Sequence, residues 1–439
     1  MSRAPSRRSL LLGGASATIA APLPFHDGAL AASADGSGHG AHTAGAGGVT
    51  TGAERAAADG WRMLRGRKVG VFSNPTGILP DARHIVDSMA DHDELDVVGV
   101  FGPEHGFRGS AQAGHSEPEF KDPRTGLTVY DAYGADAAKM ARLLRKAGVD
   151  TVVFDIQDVG VRYYTYIWTM YQAMVAARDV RADFVVLDRP NPLGRRADGP
   201  LLTRKYASGV GLKPIVQQHG LTVGELARYF NGELLPGEGS GGRVRLDVVR
   251  LRGWSPQRPV QDQQAGRPWV PPSPNMPFPD TALAYAGTGL FEGTNLSEGR
   301  GSARPFEFVG APYLDYRFSD RLNSRRLPGV RFREAYFVPT FDKYKGKTCA
   351  GVQLHITDPD RFQPIPIAVA MLAEARAYDG FAWRKDDTDR ERPYWVDKLS
   401  GSARMRHMLD DGASADAVTA AWRGEVAEFE ARRRKYLLY

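Results

Sequence analysis

With 439 residues, 42% of them hydrophobic and 25% charged, the chain has an ordinary globular composition and room for two or three domains, which excludes collagen-like, coiled-coil and wholly disordered classes. Lys plus Arg number 57 against 51 Asp plus Glu, a net charge of +6, but no long stretch concentrates the excess, so there is no nucleic-acid footprint. The single cysteine, Cys349, removes any disulfide framework and any multi-cysteine metal site.

The chain starts with an address. Ser6-Arg7-Arg8-Ser9-Leu10-Leu11-Leu12, a weakly apolar segment through Ala21 and the small-residue site Ala29-Leu30-Ala31 read as a twin-arginine (Tat) export signal over residues 1–31. The expected location is therefore outside the cytoplasm, in the cell wall, periplasm or medium. No other apolar run approaches the about 18 residues of a membrane span, so no stable membrane insertion is expected. Residues 32–54, dominated by Gly, Ala, Ser and Thr, read as a flexible linker.

From Leu64 onward, β-rich runs alternate with helical patterns. Strands are expected at Lys68–Asn74, Asp96–Phe101, Thr151–Ile156 and Asp183–Leu187, with helices at His84–Met89, Ala135–Ala147 and Trp168–Arg178 between them. This is the pattern of an α/β fold, a Rossmann-like parallel sheet with crossover helices, assigned to residues 55–277. In such sheets ligands sit beyond the carboxyl ends of the strands. Those ends carry Ser73-Asn74-Pro75-Thr76-Gly77, Gly102-Pro103-Glu104-His105-Gly106-Phe107-Arg108-Gly109, Asp155 to Tyr164, and Asp188-Arg189-Pro190-Asn191-Pro192. Four consecutive strands delivering acids, Arg and Asn to one edge mark a site. No GxGxxG, GxxxxGK[ST] or GxSxG string accompanies them, which argues against nucleotide and esterase chemistry.

The second half changes character. A helix is expected over Gly224–Asn231 and a strand over Val244–Leu251, before the Pro-rich segment Trp269–Pro277 marks a domain boundary. Residues 278–439 are read as a smaller α+β domain that completes the cleft. It opens with a long Gly-rich polar stretch, Gly287–Glu307, continues through a strand at Gly351–Thr357, and closes with helices at Ile367–Tyr378 and Ala415–Lys435. Cys349 falls in an apparent β segment, as an inert buried thiol.

The strings Val98–Gly109, Phe154–Tyr166, Leu187–Pro192, Phe291–Gly301 and Arg434–Tyr439 together resemble the NamZ family of exo-β-N-acetylmuramidases, over about Leu64 to Tyr439. The resemblance implies removal of a terminal N-acetylmuramic acid (MurNAc) from the non-reducing end of peptidoglycan fragments, in a cleft between a Rossmann-like and a smaller domain. The family's Glu in its Gly-Pro-Glu-His-Gly string matches Glu104. The motif cores are intact; Arg195-Arg196 stands where a second small residue is expected, at the pocket rim.

Glycoside hydrolysis needs a protonated acid at the leaving oxygen and a second group that attacks, activates water or steadies the developing cation. Glu104 is the expected acid, in a loop whose glycines allow close approach to a ligand. The second group is open among Asp155, Asp158, Glu292 and Glu298, with Asp158 and Glu298 preferred; an acetamido sugar can also supply its own nucleophile. Muramic acid carries a lactyl carboxylate, so a guanidinium partner is expected from Arg162, Arg189, Arg300 or Arg304. Asn74, His105, Arg108, Tyr163, Asn191 and His219 complete the expected substrate contacts. No cofactor or metal is expected, since no HxH or HExxH pattern surrounds His105 or His219. Oligomeric state is not legible. The competing readings are a non-catalytic cell-wall glycan-binding protein and a glycosidase for another amino sugar.

Overall fold

The parallel sheet is set by strands whose residues are buried on both faces, such as Thr-Val-Val-Phe-Asp at Thr151–Asp155, as helices on both sides of a sheet require. A computed structural model describes residues 48–112, 114–256 and 267–439. In chain order its strands are β1 (Lys68–Ser73), β2 (Asp96–Gly102), β3 (Phe120–Lys121), β4 (Thr128–Asp131), β5 (Thr151–Asp155), β6 (Asp183–Leu187), β7 (Asp198–Leu201), β8 (Val216–Gln218), β9 (Leu246–Val249), β10 (Phe308–Ala311), β11 (Val330–Phe337) and β12 (Cys349–Ile356).

Seven of them form one sheet in the order β3-β4-β2-β1-β5-β6-β9. Only the β3–β4 pair is antiparallel. The chain steps outward from β1 through β2 to β4, then returns to the other side of β1 for β5, β6 and β9. That is the doubly wound arrangement, with its switch point between β1 and β5. The expected strands and crossover helices are present, the latter at Ile85–Ala90, Ala137–Ala147 and Tyr166–Val180. The second of these starts on Asp136, whose carboxylate accepts the Lys139 N–H, and stops at Gly148 in the left-handed region.

The switch-point crevice, where dinucleotides bind in related sheets, is filled. The Pro272 carbonyl, from the Pro-rich segment, accepts hydrogen bonds from the Asn74 side chain (3.3 Å) and the Tyr166 hydroxyl. Asn74 Oδ1 in turn takes the backbone N–H and hydroxyl of Thr76. The open space therefore lies to one side, over the loops after β2, β4 and β5.

The second half holds an antiparallel sheet ordered β10-β12-β11, against which the helix Arg317–Ser324 packs, and the apolar helix Pro364–Ala375 packs in turn on that helix and on Pro279–Thr288. Cys349 is buried at the start of β12, and burial pushes its thiol up to about 11. From residue 48 onward the described residues form one compact unit, and arginines stitch it. Arg162 is fully buried and donates to the carbonyls of Pro200 and Ile215 in the first half (both 2.8 Å) and of Leu399 in the second (2.9 Å). Arg433 donates to the carbonyls of His219, Gly220 and Arg195.

Two expectations are corrected, and the Gly-rich stretch, for which no element was expected, proves partly helical. The end of the expected linker is ordered: Thr50 bridges Arg252, and Thr51 with Glu54 forms a capping box on the helix Gly52–Ala58. Gly52 lies so close to Val249 and Asp188 that a side chain there would overlap backbone. The Gly-rich stretch from 287 starts in helix, since Pro279–Thr288 runs on into a 3₁₀ turn at Gly289–Gly293. The last helix is broken into Ala415–Ala420 and Arg423–Arg433, around the buried Trp422. The expected export signal lies outside the described residues.

Candidate active site

A cleft of about 710 Å3 opens over the carboxyl ends of β2, β4 and β5 and is closed on its far side by the second half of the chain. Its first wall is the loop after β2. His105 and Gly106 are both left-handed, at φ 72 and 82°, a conformation that costs a non-glycine residue energy and needs fixing by its surroundings. The fixing is visible: His105 N–H donates to the His115 carbonyl, Ala111 N–H returns to the His105 carbonyl, and the His105 ring bonds the Ala111 carbonyl through Nδ1 at 3.0 Å. Gly106 leaves room for Glu117, which accepts the Phe107 N–H.

This closed loop presents Glu104, half-buried, to the cleft. Its carboxylate accepts the Thr165 hydroxyl at 2.8 Å and the Gly114 N–H at 2.9 Å. Among the described residues no Lys, Arg or His forms an ion pair with it. Its charge reaches its neighbours: burial, helped by Glu104 and Asp131, raises the Tyr133 hydroxyl.

The opposite wall is an ion cluster. Arg300 bridges Glu292 (2.9 Å) and Glu298 (3.2 Å) while lying over the Phe306 ring. Lys343 spends its three donors on Glu298 and on the carbonyls of Phe291 and Leu296, each at 2.9 Å. The two carboxylates respond in opposite directions. Burial raises Glu292, outweighing Arg300, with the Glu298 charge adding to the rise. Burial acts on Glu298 as well, but Lys343 and Arg300 overcome it and hold Glu298 below the usual carboxylate range. Environments that separate two neighbouring carboxyls in this way are a mark of catalytic clefts.

Between the walls lies an aromatic floor. Tyr285 packs edge-on against Tyr163, Tyr164 and Phe306, and the Tyr163 hydroxyl donates to the Ala286 carbonyl at 2.6 Å. Burial holds the Tyr285 hydroxyl well above its ordinary value; the charges of Glu292 and Glu104 add to this while Arg300 opposes it. Tyr285 thus senses the carboxylates of both walls.

Two family models, described as exo-β-N-acetylmuramidase NamZ N-terminal and C-terminal, match residues 69–280 and 283–439. The chain belongs to the NamZ family. The peptidoglycan β-N-acetylmuramidase NamZ of Bacillus subtilis (strain 168) is 39% identical over 393 residues, 89% of this chain and 91% of the relative. Crystal structures of two DUF1343 family proteins from Bacteroides fragilis superpose with TM-scores of 0.77 and 0.68 at 32% and 30% identity, each covering 89% of this chain and 99% of the other.

Of the residues singled out from sequence, this NamZ-family cleft brings together Glu104, His105, Tyr163, Glu292, Glu298 and Arg300. The others are spent elsewhere. Asp158 is buried; it accepts the Gly160 N–H and a hydrogen bond from His219 Nε2 (3.1 Å), whose Nδ1 is taken by the Leu221 N–H. Asp155 and Arg189 form a buried two-pronged ion pair across the ends of β5 and β6. Asn191 braces Leu193 and Leu221, and Asn74 lies in the filled crevice. Arg108 pairs with Asp122 and Asp87 outside the cleft. Arg162 binds only carbonyls, and Arg304 pairs with Glu307 over the Phe278 ring. Arg195, expected at the pocket rim, is paired with Glu225.

Sequence reasoning missed Thr165, Tyr133, Lys343 and Arg384. Arg384 carried a usable signal, the aromatic and cationic pairs Trp383-Arg384 and Tyr394-Trp395; the lone Lys343 carried none. A second groove of about 750 Å3, beside β11, is lined by Arg326, Arg331, Arg333 and Arg361. Among its described lining residues the one carboxylate, Asp358, caps its own turn, so that groove holds no pair of carboxylates.

Proposed function

We propose that this cleft hydrolyses the β-glycosidic bond of a terminal non-reducing MurNAc in peptidoglycan fragments, with Glu104 as general acid and Glu292 as the second carboxylate. The carrying observation is that Glu104 faces the cleft without a cationic partner, whereas Glu298 is held ionised by two. An acid that must give up and regain a proton is poorly served by an adjacent fixed cation. Glu104 passes its proton to the glycosidic oxygen as the C1–O bond breaks, the alcohol leaves, and water adds its hydroxyl to C1 with its proton returned to the carboxylate. Glu292, steadied by Arg300, orients the nucleophile, water or the substrate's own acetamide carbonyl. Glu298, itself held by Lys343, anchors Arg300, and the tyrosine floor offers faces to the pyranose ring.

The test is incubation with a MurNAc-GlcNAc disaccharide and chromogenic β-MurNAc and β-GlcNAc glycosides, following released sugar by mass spectrometry. Release from the muramyl substrates alone supports the reading; no release from any of them by folded protein favours a binding role. The same reading places the working protein outside the cytoplasm, addressed by Arg7-Arg8, with the boundary between its two halves at Pro277 and Phe278. Replacing both arginines by Lys is expected to retain the protein inside the cell, as fractionation would show.

A further inference from the structure

A muramidase must tell MurNAc from N-acetylglucosamine by a lactyl ether and its carboxylate, and the four arginines expected from sequence do not provide that contact. Three lie outside the cleft, and Arg300 is already engaged by Glu292 and Glu298. Among the described residues one other guanidinium lines the cleft, that of Arg384. It has no carboxylate partner among the described residues; its hydrogen bond is a long one, 3.4 Å, to the Glu292 carbonyl.

Arg384 does not stand alone. Its guanidinium lies 5.5 Å from the centre of the Trp395 ring, and the Trp395 N–H donates to the Arg384 carbonyl, next to a bridge between Lys385 and Tyr394. The hairpin that carries both residues is moored to the first half of the chain by Arg392, which donates to the carbonyls of Lys205 and Ala207. Trp395 also lines the cleft, and its indole Nε1 is buried without a hydrogen-bond partner. A buried donor left empty is costly and rare, and points to a group it is built to meet. An unpaired guanidinium stacked beside an empty indole donor offers two kinds of donor to a planar anion.

We propose that Arg384 and Trp395 form the receptor for the lactyl carboxylate, and that Arg384 is the specificity-determining cation of this cleft. This rests on the muramidase reading above, and the two are separable because Glu104 serves the bond cleavage and Arg384 the recognition. The experiment compares a chromogenic β-MurNAc glycoside with the same compound bearing the lactyl group as its primary amide. Wild-type protein is expected to prefer the acid by about tenfold or more in kcat/KM. Arg384→Ala is expected to raise KM for the acid by about ten- to a hundredfold with kcat largely kept, and to level acid and amide. Arg384→Lys should restore part of the preference. Trp395→Phe, which keeps the ring and removes the N–H, should raise KM by about threefold to tenfold.

Equal use of acid and amide by the wild type, or an unchanged acid preference in Arg384→Ala, overturns the proposal. So does a fall in kcat with unchanged KM, which would mark a structural role. If Arg384→Ala does not fold, the wild-type ratio and the Lys and Phe variants decide. Absence of turnover on every muramyl substrate would instead overturn the muramidase reading itself.

Discussion

The two walls of the cleft place carboxylates by opposite means. On the first, backbone geometry does the work: a loop with two successive left-handed residues turns Glu104 outward, and among the described residues a hydroxyl and an amide N–H are its hydrogen-bond partners. On the second, charge does the work: Glu292, Arg300, Glu298 and Lys343 form a nearly closed chain of ion pairs. The first arrangement leaves a carboxyl with no fixed cation beside it. The second fixes position and, through burial against cations, sets two neighbouring carboxyls apart in acidity. A cleft that needs one mobile proton and one steady anion gains from keeping the two devices separate.

The sharpest way to break this comparison is Glu104→Gln. It keeps the loop's shape and is expected to lower kcat by about 10² or more, with the melting temperature little changed. Near wild-type turnover would move the mobile proton to the other wall. On the second wall, Lys343→Met should act on stability first. It strands Glu298, which is 2% exposed, and a buried charge that loses a partner costs about 3–5 kcal/mol, reduced here by the remaining contact with Arg300; denaturant titration measures it. An equal loss from a change near Glu104 would erase the distinction.

The smallest effect is a pH shift. Glu292 acts as a carboxylate in this scheme, so activity falls as pH drops through its raised pKa. The Glu298 charge contributes to that rise. Glu298→Gln removes it and leaves Arg300 to Glu292 alone, so the acidic limb of the kcat–pH profile is expected to move to lower pH. A shift to higher pH, or none, would detach Glu292 from that limb.

Much of the fold was legible because parallel strands buried on both faces write themselves as short apolar runs. The loops after β2 and β5 were legible as chemistry for the same reason: they begin where those runs stop. The direction each loop takes was not. Asp158 and Glu104 both follow a strand end, yet one folds inward onto His219 and the other faces the cleft, a choice made by the His105–Ala111 and Thr165 contacts. The arginines failed for a different reason. Sequence shows a guanidinium but not its partners: Arg162 and Arg189 are held by carbonyls or an acid distant along the chain, whereas Arg300 and Arg304 are held by acids a few residues away. Arg384 was overlooked because its hairpin follows no strand of the main sheet.

Arg162 carries one more consequence. Its guanidinium, pushed down to about 9 by burial, joins carbonyls of the two halves at the back of the cleft, and a side chain at Gly401 would press on it. A clamshell opening would have to break these bonds in the dry interior. The molecule is thus built as a socket, not a jaw: its shape is set before any sugar arrives, product leaves by the mouth through which substrate came, and crystals of the free protein should accept the disaccharide by soaking without cracking.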